Sequence, residues 1–114
     1  GLLSRPRVPA DCEHNGHIYW LLLAPEIDRD GGLTSMREAG VAATFHYVPL
    51  HDAPAGRRLA RAAGALDVTV DAAARLVRLP LWVGLTPDDQ ARVVQALRNA
   101  IGGQRQAGVN ASRT

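Results

Sequence analysis

Apolar side chains come in dense runs separated by stretches of helical spacing. His17–Ala24 (H-I-Y-W-L-L-L-A) is bounded by Asn15-Gly16 and Pro25, and its length and borders predict a strand buried on both faces. A short helix follows: Asp28 or Asp30 caps it, Leu33 and Met36 lie at i, i+3, and Gly40 ends it. Gly31-Gly32 weakens its first turn by roughly 1 kcal/mol per glycine relative to alanine. Val41–Leu50 predicts a second strand. Pro49 withholds one ladder donor there, which places the strand's end at an edge or beside a cleft.

Pro54 opens the next helix, with Ala55, Leu59, Ala62 and Ala63 as a narrow apolar face. Thr69–Leu76 predicts another helix, with Thr69 as N-cap and Asp71 in the first turn. Val77–Trp82 is a third strand, interrupted by Pro80. The last helix has the strongest local signal. Thr86 caps it, Pro87 takes the first position, Asp88 and Asp89 complement the dipole, and Val93, Val94, Leu97 and Ile101 repeat at helical spacing until Gly102-Gly103.

This order predicts an α/β (α+β) domain, a short sheet packed with about four helices. Residues 1–13, rich in proline and charge, form an extended lead-in; 14–102 form the domain; 103–114, polar and aperiodic, are expected to be a disordered tail. The 114 residues suffice for one modest core. Aromatics are only 4% of the chain and alanine supplies much of the apolar count, so the core is expected to be thin and to lean on a partner surface.

The net charge of +2 is small, and no basic stripe with interleaved aromatics points to nucleic acid. No apolar run approaches the ~20 residues of a membrane-spanning helix. Cys12 is the single cysteine, which excludes an internal disulfide and a zinc cluster of thiolates. A reducing, cytoplasmic setting is expected. All 13 cationic side chains are arginine, and the chain has no lysine.

Candidate chemistry concentrates at His46, Tyr47 and His51, around Pro49. Strand alternation places His46 and Tyr47 on opposite faces unless the chain bends. Two readings are open: contacts to a ligand, or side chains that satisfy backbone groups at a strand end. Arg78, in an otherwise apolar strand, pairs with an acid, binds a carboxylate or phosphate, or faces solvent. Arg57 and Arg58 fall on the wet face of their helix. His14 and His17 flank Gly16 at a strand entry, and no second ligand pair has metal-binding spacing. Cys12 lies between Asp11 and Glu13, a poor setting for a nucleophile. Neither Gly31-Gly32 nor Gly102-Gly103 has the spacing of a phosphate-binding loop.

Three blocks carry a resemblance: H-N-G-H-I-Y-W at His14–Trp20, T-F-H-Y-V-P-L-H-D-A-P-A-G at Thr44–Gly56, and R-L-P-L-W at Arg78–Trp82. In this order they resemble the C-terminal domain of DegT/DnrJ-type sugar-nucleotide aminotransferases, which are pyridoxal-phosphate enzymes. The resemblance implies the small domain of the fold-type I aminotransferases. Its parent would transfer an amino group from glutamate to C4 of a dTDP-4-keto-6-deoxyhexose. It implies as partners a large pyridoxal-phosphate-binding domain of the same parent chain and, for the parent, a homodimer. His46, Tyr47, His51 and Arg78 would then line the substrate side. Holding the cofactor as a Schiff base takes a lysine amine, so this segment is expected to be inactive alone and to have no catalytic residue of its own. The alternative is a stand-alone module that binds a sugar nucleotide or dimerises without catalysis.

Overall fold

The computed structural model describes residues 1–111, with side chains through Gln104. Three strands, β1 (Leu3–Ser4), β2 (Tyr19–Leu23) and β3 (Leu76–Leu79), form an antiparallel sheet in the order β1-β2-β3. Four helices accompany it: α1 (Arg29–Glu38), α2 (Pro54–Leu59), α3 (Asp67–Arg75) and α4 (Pro87–Ala111). The α+β architecture is the expected one.

Register decides which face is core. Leu21 lies opposite Val77 and Trp20 opposite Arg78, so alternation sends Leu21, Leu23 and Val77 to one face. There they meet Leu33 and Met36 of α1 and Val93, Ala96, Leu97, Ala100 and Ile101 of α4. Because α1 and α4 pack together on that side, β2 is buried on one face only. The expectation of burial on both is corrected: Trp20 and Leu22 are half-buried.

Local rules account for the ends of α1. Asp28 caps it, its carboxylate accepting from the Asp30 and Gly31 amides at 3.1 Å. At the other end Gly40, at φ +75, donates to the Arg37 carbonyl while Val41 donates to Met36. These are the paired bonds of a left-handed glycine stop. Burying Leu33 and Met36 contributes about 1.5–3 kcal/mol each, which outweighs the cost of Gly31-Gly32.

Several expectations fail where pairing is non-local. Leu3 and Ser4, in the expected lead-in, pair with Leu23 and Leu22. The strand expected over Val41–Leu50 is absent; Val41 and Ala43 are buried in alternation, but only Thr44 forms a bridge, to Arg78. Beyond it the chain turns away, with both the Asp52 and Ala53 amides donating to the Pro49 carbonyl. β3 stops at Leu79, before Pro80.

The helices differ as well. α2 ends at Leu59 and buries no residue, so Ala62 and Ala63 make no apolar face on it. α3 starts at Asp67 after Leu66 at φ 52, so Thr69 lies inside the helix and is not its cap. Asp67 meets the positive helix end in its place.

α4 begins as expected. The Asp89 amide donates to the Thr86 hydroxyl at 3.1 Å, and that hydroxyl donates to the Asp89 carboxylate at 2.7 Å. It does not stop at Gly102-Gly103 but runs to Ala111. Buried Ala100 and Ile101 anchor it just before the glycines, and Gln104 anchors it just after, by hydrogen bonds to the backbone of Asp28. Residues 104–111, expected as part of a disordered tail, are helical; 112–114 lie outside the described residues.

Candidate functional site

The site grows from the Thr44–Arg78 bridge. The Arg78 amide donates to the Thr44 carbonyl at 2.7 Å, and the Thr44 amide donates to the Arg78 carbonyl at 3.1 Å. These bonds hold the start of the F-H-Y segment against β3. Because no strand continues past Thr44, the alternation that would separate His46 from Tyr47 does not apply. Their rings meet edge to face, centroids 4.2 Å apart at 81°. The Tyr47 hydroxyl accepts from Arg78 Nη1 at 3.4 Å. Three of the four residues singled out in the sequence are thus brought together.

Arg78 has no carboxylate partner among the described residues. It stands opposite Trp20 on the sheet face away from the core. A half-buried guanidinium beside a phenol presents N–H and O–H donors suited to a carboxylate, a phosphate or a sugar hydroxyl.

His51 belongs to a second group. Its Nε2 lies 3.6 Å from the Asp52 carboxylate, whose other oxygen accepts from Arg57 Nη2 at 3.1 Å. The Pro49 turn brings this group onto the first turn of α2. A Cβ on Gly56 would come within 1.7 Å of the Leu50 carbonyl oxygen, so only glycine permits this approach. Beside it an open groove of about 760 Å³ runs between the turn, α2 and α3, with His51, Arg61 and Leu66 in its lining.

Arg29 and Phe45 carried no sequence signal for the site. The Cζ of Arg29 lies 5.2 Å from the centre of the Phe45 ring. His14 and His17 are taken up locally, His14 Nδ1 accepting from the Gly16 amide and His17 Nδ1 bonding to Asn15. Among the described residues no three His, Cys, Asp or Glu side chains gather as metal ligands, and no helix is long and apolar enough to cross a membrane.

Residues 3–98 match the DegT/DnrJ/EryC1/StrS aminotransferase family. The chain belongs to this family. Among curated relatives, it is 33% identical over 101 residues to dTDP-4-dehydro-2,3,6-trideoxy-D-glucose 4-aminotransferase of Saccharopolyspora spinosa, a match covering 89% of this chain and 25% of the relative. It is 28% identical to dTDP-3-amino-3,4,6-trideoxy-alpha-D-glucose transaminase of Micromonospora megalomicea subsp. nigra, covering 84% of this chain and 26% of that one. Among solved structures, the aminotransferase TlmJ from Streptoalloteichus hindustanus superimposes with a TM-score of 0.77 at 27% identity, over 90% of this chain and 27% of that chain. The chain therefore spans about a quarter of the length of these relatives.

Aminotransferase chemistry calls for pyridoxal phosphate, and the residues of this family member do not by themselves fit it. The chain has no lysine to form the Schiff base. The His46–Tyr47–Arg78 group offers polar contacts and no covalent anchor, so no chemical step is assigned to it.

Proposed function

We propose that the chain is the C-terminal, small domain of a pyridoxal-phosphate-dependent sugar-nucleotide aminotransferase. The parent enzyme transfers an amino group from glutamate to C4 of a dTDP-4-keto-6-deoxyhexose, in the cytoplasm and as a homodimer. The observation that carries this reading is the family match over residues 3–98 in a chain a quarter as long as its relatives. The cofactor and its lysine belong to a large domain outside this sequence, and the segment alone is inactive. Within the parent, His46, Tyr47, His51 and Arg78 face the substrate, and the small domain closes the site against water.

The exposed apolar side chains support a covering partner. Tyr47 is 64% exposed, Leu50 86%, Trp82 50% and Val83 103%, all in the segments that leave the Thr44–Arg78 bridge. A surface of this kind is stable when another surface covers it. Phe45, 39% exposed, and Trp82 also serve a second reading, a non-catalytic module that dimerises through this face.

The test is glutamate-dependent amination of a dTDP-4-keto-6-deoxyhexose, measured on the chain alone and on the chain joined to its lysine-bearing domain. Turnover only in the joined protein is expected. Turnover by the 114-residue chain would overturn its assigned inactivity. No turnover by a joined protein that binds pyridoxal phosphate would overturn the proposed reaction.

A further inference from the structure

α3 fully buries none of its residues and half-buries Ala72 and Ala73; Arg75 Nη1 ties it to β2 by donating to the Leu23 carbonyl at 2.7 Å. Further polar contacts hold its C-terminal end. The last carbonyls of a helix have no partner within it. Here the Leu76 amide takes the Ala72 carbonyl, and Arg29 Nη1 donates to the Ala73 carbonyl at 2.6 Å. A cation at this position also complements the negative end of the helix.

The same guanidinium turns a second edge to Asp30, whose carboxylate accepts from Nε at 2.9 Å. Its Cζ also lies over Phe45, 5.2 Å from the ring centre. The Arg29 side chain is only 16% exposed. One arginine thus joins α1, the end of α3 and the first residue after the Thr44–Arg78 bridge. Phe45 is followed directly by His46 and Tyr47, the two residues that leave the sheet beyond the bridge.

We propose that Arg29 is a positioning residue for the His46–Tyr47 segment, acting through Phe45. That the segment meets ligand rests on the proposed function; that Arg29 orients it does not. If Arg29 served α3 alone, the Ala73 and Asp30 bonds would suffice and the Phe45 ring would be indifferent to its chemistry. Lysine bears on the two roles unequally: its ammonium can still donate to Ala73, but it lacks the planar guanidinium that stacks on aromatic faces and keeps only a point charge's attraction to the ring.

The experiment is NMR on the 114-residue chain as wild type, Arg29→Lys and Phe45→Leu. In wild type the Arg29 Nε–H resonance is shifted by the ring, and Phe45→Leu removes that shift. Arg29→Lys leaves the unfolding midpoint and the resonances of Leu21, Leu23 and Val77 near wild type, while those of Phe45, His46 and Tyr47 move. Phe45→Leu keeps the arginine's bond to α3 and replaces a partly exposed ring, so it tests the contact even where the lysine variant folds poorly. Unmoved His46 and Tyr47 resonances in Arg29→Lys, or an Arg29 Nε–H resonance left unmoved by Phe45→Leu, would overturn the proposal. In the joined aminotransferase, Arg29→Lys raises KM for the sugar nucleotide several-fold with kcat within about twofold of wild type. Moved resonances with an unchanged KM would uphold the positioning role and overturn the ligand-facing reading of His46 and Tyr47.

Discussion

The Gln104 side chain holds both backbone groups of Asp28, a residue 76 positions earlier: its carbonyl accepts from the Asp28 amide at 2.8 Å and its amide donates to the Asp28 carbonyl at 2.9 Å. Asp28 in turn caps α1. The extension of α4 is therefore tied to the start of α1, and the tie lies beyond the glycines expected to end the helix.

Gln104→Ala is expected to destabilise the domain by about 1–3 kcal/mol, since a typical net hydrogen bond contributes roughly 0.5–1.5 kcal/mol and two are lost. Urea unfolding of the two proteins checks this. An unchanged midpoint would mean that water replaces the amide at no cost.

Thr86→Ala removes the N-cap of α4 and is expected to cost about 1 kcal/mol. Asp89 gives the same cap a pH signature. Hydrogen bonds from Thr86 hold its carboxyl below the ordinary carboxylate range. On acidification the unfolded chain takes up that proton first. The contribution is complete above the unfolded value of about 3.9 and is lost as the pH falls through the lower folded value. Asp89→Asn should flatten this part of the stability profile, followed by denaturation at a series of acidic pH values.

Gly56→Ala is expected to open the Pro49 turn, because the new Cβ would meet the Leu50 carbonyl at 1.7 Å. Overpacking of this kind costs about 1–3 kcal/mol. Gly64→Ala is the control, since a Cβ there meets nothing within 4 Å. Hydrogen exchange over Ala53–Ala60 should quicken in the first variant and stay as in wild type in the second.

Arg78→Ala in the joined aminotransferase is expected to weaken an anionic or hydroxyl-rich substrate by about tenfold to a hundredfold, the scale of a charged hydrogen bond. Tyr47→Phe should cost less, because it removes only the hydroxyl that Arg78 meets at 3.4 Å. KM values for the sugar nucleotide and for glutamate show which substrate the pair serves. Unchanged values for both would remove Arg78 from the site.

Legibility followed the range of each interaction. The ends of α1 and the start of α4 could be read because Asp28, Gly40 and Thr86 act on amides and carbonyls a few residues away. Val41–Leu50 misled because its apolar content suits a strand, while pairing depends on an edge elsewhere and only Thr44 reaches one. Leu3 and Ser4 carry no pattern, and two residues paired to Leu23 and Leu22 cannot announce a strand. The glycines at 102–103 were outweighed by contacts on either side of them, Ile101 in the core and Gln104 on Asp28.

By itself the amino-acid sequence determined the α1 termini and the start of α4, the main apolar run that became β2, the order of blocks that marks the family, and the absence of lysine from this chain. Only the tertiary structure decided that Arg78 stands beside Tyr47, that His46 and Tyr47 share one place, that His51 joins Asp52 in another, and that Arg29 reaches Phe45. Local chemistry is written within one turn of helix. The meeting of residues 16 or 31 positions apart depends on where sheet pairing and core burial send the chain, and no short-range pattern encodes that path.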